Sequence, residues 1–165
     1  MNRSEKQWMI LMKKLGLNLN SFLIIYFFIF SSALSSEKNV VIGQASIIDG
    51  DTIIIKGEKI RFAGIDTPER NKIGHIFSKI KLKQKIGKNI VVCIRESNLD
   101  PWGRTVAECF IGYESISSYM VKNGYACDYV KYSKKKYAKE QEYAKSKKLG
   151  IWNMSFEQSW EKKCG

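Results

Sequence analysis

The 165-residue sequence predicts an α+β, mainly β domain: a small closed barrel of short strands with about three helices, preceded by a leader segment. Three observations carry that expectation. Short apolar runs separated by turn residues fill the first half of the chain that follows the leader. Helical spacing of apolar residues appears in a few later segments. Strands this short, on a chain this size, bury a common core by curling into a closed sheet. With 44% apolar and 12% aromatic residues the chain can build that core, which excludes wholesale disorder.

The leader comes first. Arg3, Lys6, Lys13 and Lys14 make a basic start, residues 22–30 are an unbroken apolar run, and small residues follow through Ala33, Ser35 and Ser36. This is the order of a secretory signal peptide over residues 1–35, cleaved after Ala33 or Ser35. The uncharged stretch 15–36 is also long enough for an uncleaved membrane anchor. The domain then occupies residues 37–165.

Strands are expected at 40–48 and 52–55, flanking the turn Asp49-Gly50-Asp51, and at 59–65 after the turn Lys56-Gly57-Glu58. Ile73, Ile76, Phe77 and Ile80 have helical spacing. Segments 90–94 and 105–111 read as a hairpin across 98–103, where Pro101 and Gly103 punctuate. Ile116, Tyr119 and Met120 repeat the helical pattern toward a stop at Gly124, and a lysine-rich third helix is expected over about 133–149.

Composition narrows the chemistry. Lys plus Arg number 28 against 16 Asp plus Glu, a formal charge of +12, and removal of residues 1–35 leaves 24 minus 15, or +9. The basic character belongs to the domain and favours a polyanionic partner. A single histidine, His75, excludes a His-x-x-x-His zinc pair. Cys93, Cys109, Cys127 and Cys164 contain no Cys-x-x-Cys pair, which argues against a zinc ribbon or a thioredoxin-type site.

The reactive residue types concentrate in three short segments: Asp49-Gly50-Asp51-Thr52, then Arg61 to Asp66-Thr67-Pro68-Glu69, then Asp100-Pro101-Trp102-Gly103-Arg104. Each alone is an ordinary turn or strand exit. Together they supply a phosphodiester site. Asp51, Asp66 and a backbone carbonyl near Thr67 are hard oxygen ligands suited to calcium or magnesium. A metal there can neutralise and polarise a phosphate. Glu69 can deprotonate a water without any histidine. Arg61 and Arg104 can grip the phosphate with planar, bidentate contacts that strengthen as charge develops.

In these three segments the sequence resembles the staphylococcal nuclease (thermonuclease) family, whose signature runs Asp-Gly-Asp-Thr, Arg-x-x-x-Ile-Asp-Thr-Pro-Glu and Asp-x-Tyr-Gly-Arg. The likeness continues through Met120-Val121-Lys122-Asn123-Gly124-Tyr125-Ala126 and Leu149-Gly150-Ile151-Trp152, and so spans about residues 40–153. The resemblance implies a five-stranded OB-type barrel with three helices, calcium dependence, and hydrolysis of DNA and RNA to products ending in 3′-phosphates. It implies Asp51 and Asp66 as calcium ligands through their side chains and Thr67 through its carbonyl. Arg61, Glu69 and Arg104 would be catalytic. Trp102 stands where the family carries tyrosine, at a position that holds the nucleotide, and Pro101 replaces a common basic residue. Tyr129 and Tyr132 are both candidates for a second stacking aromatic, and neither is assigned.

The expected protein is therefore a monomeric, secreted or periplasmic, calcium-dependent nuclease acting on DNA and RNA, with single strands preferred. The competing expectation is a non-catalytic OB barrel that only binds single strands, since such modules also pair a basic groove with aromatics. A membrane-tethered interaction domain rests on the hydrophobic N-terminus alone. Export brings the cysteines into an oxidising compartment. Cys93 and Cys109 lie in the two arms of one expected hairpin and can be bridged if they oppose each other. That pairing leaves Cys127 for Cys164.

Overall fold

The computed structural model describes residues 39–154 together with Ile10, Lys14, Lys163 and Cys164. Apart from Ile10 and Lys14, the leader, its cleavage positions and the anchor alternative fall outside the described residues. Among the described residues, no helix is long and apolar enough to cross a membrane. Contacts divide the chain into two compact units, Met1–Asn39 and Val40–Gly165, and the second holds every strand and helix named below.

Four short strands open this unit: β1 (Val40–Gly43), β2 (Ala45–Asp49), β3 (Thr52–Ile55) and β4 (Glu58–Phe62). After a turn come β5 (Ile65–Asp66) and helix α1 (His75–Ile86), then β6 (Val91–Leu99), β7 (Thr105–Ile111) and β8 (Glu114–Ser115). Helix α2 (Ile116–Lys122), β9 (Cys127–Asp128), the single turn α3 (Val130–Ser133), α4 (Ala138–Ser146) and a 3-10 turn at Gly150–Asn153 complete it. The main sheet runs β1-β6-β7-β4-β3-β2, with β8 beside β7, while β5 and β9 form a separate antiparallel pair. β4 and β7 pair in parallel, and the other pairs are antiparallel.

Five strands and about three helices become, among the residues from 39 to 154, six strands along the sheet path and four α-helices. The first expected strand breaks at Gln44: β1 pairs with β6, and β2 with β3, so its two halves serve opposite ends of the sheet. The third expected run also divides. β4 stops at Phe62, and Ile65-Asp66 turn away to pair with Cys127-Asp128. Helix α1 exists where the spacing placed one but is rolled differently. Ser78, Leu82 and Ile86 are buried, whereas Ile73, Ile76 and Ile80 are exposed. A serine in the inward row hid that row from an apolar count. The lysine-rich helix splits because Lys134 and Lys135 adopt left-handed φ angles of 55° and 69°, which an α-helix does not sustain.

Apolar residues of alternating strand positions, with Leu82 of α1, close the interior. Ile53, Ile55, Ile60, Phe62, Leu82 and Val91 are essentially inaccessible to solvent. Cys93 and Cys109 face each other across β6–β7 and form a disulfide, and Cys127 is bonded to Cys164. Both expected pairings are present.

Candidate active site

The turn between β2 and β3 delivers Asp51, and the β4–β5 segment delivers Arg61, Asp66 and Thr67. A register irregularity between Ile47 and Asp49 turns the end of β2. Gly50 then lets the turn lie directly against the second segment, because a Cβ there would sit 2.9 Å from Ser78 Cβ and 3.0 Å from Thr67 Cγ2. Asp51 is buried as a result. Its Oδ2 accepts hydrogen bonds from Thr67 N at 3.2 Å and Thr67 Oγ1 at 2.8 Å, and its Oδ1 accepts from Thr52 Oγ1 at 2.9 Å.

Arg61 joins the two carboxylates. Its Nη2 lies 3.0 Å from Asp51 Oδ2 and 3.1 Å from Asp66 Oδ1. The other Asp66 oxygen, Oδ2, is buried and accepts no hydrogen bond, with Lys163 Nζ facing it at 3.7 Å. Burial pushes the Asp66 carboxyl up to about 6; Arg61 opposes that shift, and the nearby charges of Asp51 and Glu69 add to it. The Asp66 oxygen that lacks a hydrogen bond, facing only a half-exposed lysine, leaves room for a further cation partner.

Those donors fit a hard divalent cation. Two carboxylates and the Thr67 carbonyl are oxygen ligands of the type calcium takes, and the unsatisfied Asp66 Oδ2 would gain a partner. Among the described residues no group of three or more His, Cys, Asp or Glu side chains is gathered for metal binding. An ion held here would complete its shell from backbone, water or substrate phosphate.

Of the remaining expected residues, Glu69 lies near this pair, while Trp102 and Arg104 lie on the turn between β6 and β7. Glu69 is exposed just beyond Pro68, within electrostatic reach of Asp66. Arg104 immediately precedes β7. In the parallel β4–β7 ladder Arg61 pairs with Val106, so Arg104, two residues earlier, falls on the same face as Arg61. Arg104 is held by Asp100, which accepts from Arg104 Nε at 2.5 Å, Arg104 N at 2.9 Å and Trp102 N at 3.0 Å. Burial alone would raise the Asp100 carboxyl, but the Arg104 and Trp102 hydrogen bonds outweigh it and hold it below the usual carboxylate range. Trp102 is 77% exposed, with the Arg104 guanidinium 5.1 Å from its ring centre. Tyr129 and Tyr132 pack edge to face at 4.9 Å.

Three residues at the site were not singled out from the sequence. His75, at the start of α1, places Nδ1 3.1 Å from Asp49 Oδ1 and 3.2 Å from the Pro68 carbonyl, tying the first segment to the second. Asp100 positions Arg104, and its place at the start of the third segment was the available signal. Lys163 reaches Asp66 from the far end of the chain; its only sequence signal was its position next to Cys164.

The acidic pair bridged by one guanidinium sits on a basic domain built on a mixed sheet, an arrangement compatible with a nucleic-acid phosphodiester. The staphylococcal nuclease homologue family matches residues 59–154, and the chain belongs to that family. It is 35% identical over 140 residues to an uncharacterized endonuclease of Haemophilus influenzae, covering 81% of this chain and 76% of that one. It is 31% identical over 121 residues to the thermonuclease of Staphylococcus intermedius, covering 64% and 72%. To the succinoglycan biosynthesis protein ExoI of Rhizobium meliloti it is 29% identical over 138 residues, covering 76% and 71%. Other relatives are longer, and the chain spans 38% of one and 42% of another.

Proposed function

We propose that this chain is an exported, calcium-dependent nuclease that hydrolyses phosphodiester bonds of DNA and RNA and leaves 3′-phosphate ends. The observation that carries the reading is the buried Asp51–Arg61–Asp66 constellation with its unsatisfied Asp66 Oδ2. A structural ion pair needs one carboxylate for one guanidinium. A second buried carboxylate whose Oδ2 accepts no hydrogen bond and meets only the half-exposed Lys163 costs stability, and a cation it serves explains it. The endonuclease and thermonuclease names of its relatives point the same way. Two disulfides suit an oxidising compartment, which supports export.

The chain's own residues divide the work. Asp51, Asp66 and the Thr67 carbonyl would hold calcium, and the bound ion supplies charge neutralisation at the phosphate. Glu69, exposed at the site's edge, orients an attacking water and accepts its proton. Arg61 spends part of its fork on the carboxylates and keeps further N–H donors for a phosphate oxygen. Arg104, pre-aimed by Asp100, approaches from the neighbouring strand. Trp102 offers an exposed face on which a base stacks, a contact open to single strands.

The test is cleavage of single-stranded DNA and of RNA by the purified protein with calcium or with chelator, with analysis of the product ends. Calcium-dependent cleavage to 3′-phosphates is expected. Retained binding without cleavage at millimolar-order calcium would establish the single-strand-binding module instead.

A further inference from the structure

The end of the chain is fastened to the strand pair that carries Asp66. Cys127 in β9 is the register partner of Asp66 in β5 and is disulfide-bonded to Cys164. Cys164 is buried, and its carbonyl accepts a hydrogen bond from Gln141 Nε2 at 2.5 Å. The other end of the same amide, Gln141 Oε1, accepts from Asp128 N at 2.8 Å. A covalent bond and an amide bridge therefore fix the residue next to Lys163.

Held in this way, Lys163 directs its ammonium at the one Asp66 oxygen that accepts no hydrogen bond, 3.7 Å away. Its side chain is 42% exposed, so the ammonium can swing into solvent without disturbing the fold. A lysine stem of four carbons on a fixed backbone keeps the charge close to the site even when displaced. Its positive charge and a divalent cation repel each other, and both are attracted to Asp66.

We propose that Lys163, tethered by the Cys127–Cys164 disulfide, is a built-in competitor of the divalent cation at Asp66, so that the oxidised tail lowers calcium affinity and its release raises it. This inference rests on the calcium reading of the site. Release is chemically simple. A dithiol reductant cleaves the S–S bond, both cysteines become thiols, and the reductant leaves as its cyclic disulfide.

Calorimetric titration of the metal-free, full-length protein with calcium chloride, in the absence of nucleic acid, tests the idea. Lys163→Gln is expected to tighten the calcium Kd about three- to tenfold, as expected for removing one partly screened charge near a divalent ion. Lys163→Arg keeps the charge and is expected to bind as the wild type does. Cys164→Ser, and wild type pretreated with dithiol, are expected to match Lys163→Gln, and added salt to narrow every gap. Lys163→Gln and Lys163→Arg decide the matter even if the cysteine variant folds poorly. Calcium binding by Lys163→Gln within twofold of wild type overturns the proposal. So does tightening by Cys164→Ser alone, which would assign the effect to the bulk of the tail. If wild type binds no calcium at all, the calcium reading itself fails and takes this inference with it; Asp51→Asn, expected to weaken binding, shows that any heat measured comes from the site.

Discussion

Replacing Asp66 by asparagine isolates what it costs to keep that carboxylate charged without a cation. Its pKa rises from 3.8 to about 6 in the folded protein, chiefly through burial. That is a shift of about two units, worth ~3 kcal/mol at roughly 1.4 kcal/mol per unit. The folded-state value lies above the unfolded one, so the folded chain holds the extra proton. The associated stability is fully present below about pH 4, drains away as pH rises through about 6, and is gone above it. Asparagine resembles the protonated carboxyl and still offers Arg61 an acceptor. In chelator, Asp66→Asn is therefore expected to match wild type near pH 4 and to exceed it by ~3 kcal/mol at pH 7.5. Urea unfolding with the disulfides intact measures both values. Calcium should reverse the order at pH 7.5, stabilising wild type and leaving the variant unchanged. A variant no more stable than wild type at pH 7.5 in chelator, or a gap that ignores pH, refutes the reasoning.

Arg61→Lys is expected to lower turnover on the order of 100- to 1000-fold in a cleavage assay, because an ammonium cannot bridge two carboxylates and still fork onto a phosphate. Asp100→Ala removes the acceptor of three N–H groups that aim Arg104 and shape the hairpin tip. Turnover should fall about tenfold with the calcium Kd unchanged, which cleavage kinetics and calorimetry together check. Gly124→Ala should be severely destabilising, since the new Cβ would lie 2.2 Å from the Leu149 carbonyl oxygen at a φ of +69°. A loss of at least ~3 kcal/mol, seen as a Tm drop of about 10 °C by calorimetry, is expected.

Local chemistry was the readable part of this chain. The grouping of Asp51, Arg61, Asp66 and Thr67 follows from two short motifs, although the hydrogen bonds and the Arg61 bridge within it do not, and the disulfides follow from two cysteines opposed in one hairpin, which leaves the other two to pair. What escaped the sequence depended on distant neighbours. The break at Gln44 falls where Gly43-Gln44 interrupts the apolar pattern, but that the two halves go to opposite ends of the sheet shows only where they meet different strands. The roll of α1 was misread because Ser78 faces inward among Leu82 and Ile86. The split at Lys134-Lys135 carries no glycine or proline to announce it. Lys163 is distant from Asp66 along the chain, and only the β5–β9 pairing together with the disulfide brings them together.

The divided first strand sets an order of assembly. Ala45 meets Ile55, ten residues onward, whereas Val40 meets Ile94, fifty-four residues onward. Closing the larger loop costs about 1.5 kcal/mol more chain entropy, so β2, β3 and β4 form early as a local meander and β1 zips onto β6 late. Until it does, the Val91–Ile94 backbone of β6 is an unguarded ribbon edge, and Ile94 stays half-exposed even in the finished fold. Trimming the chain a few residues past Asn39 would leave that edge permanently open. The truncated protein would then recruit the missing strand from another molecule and elute as associated species.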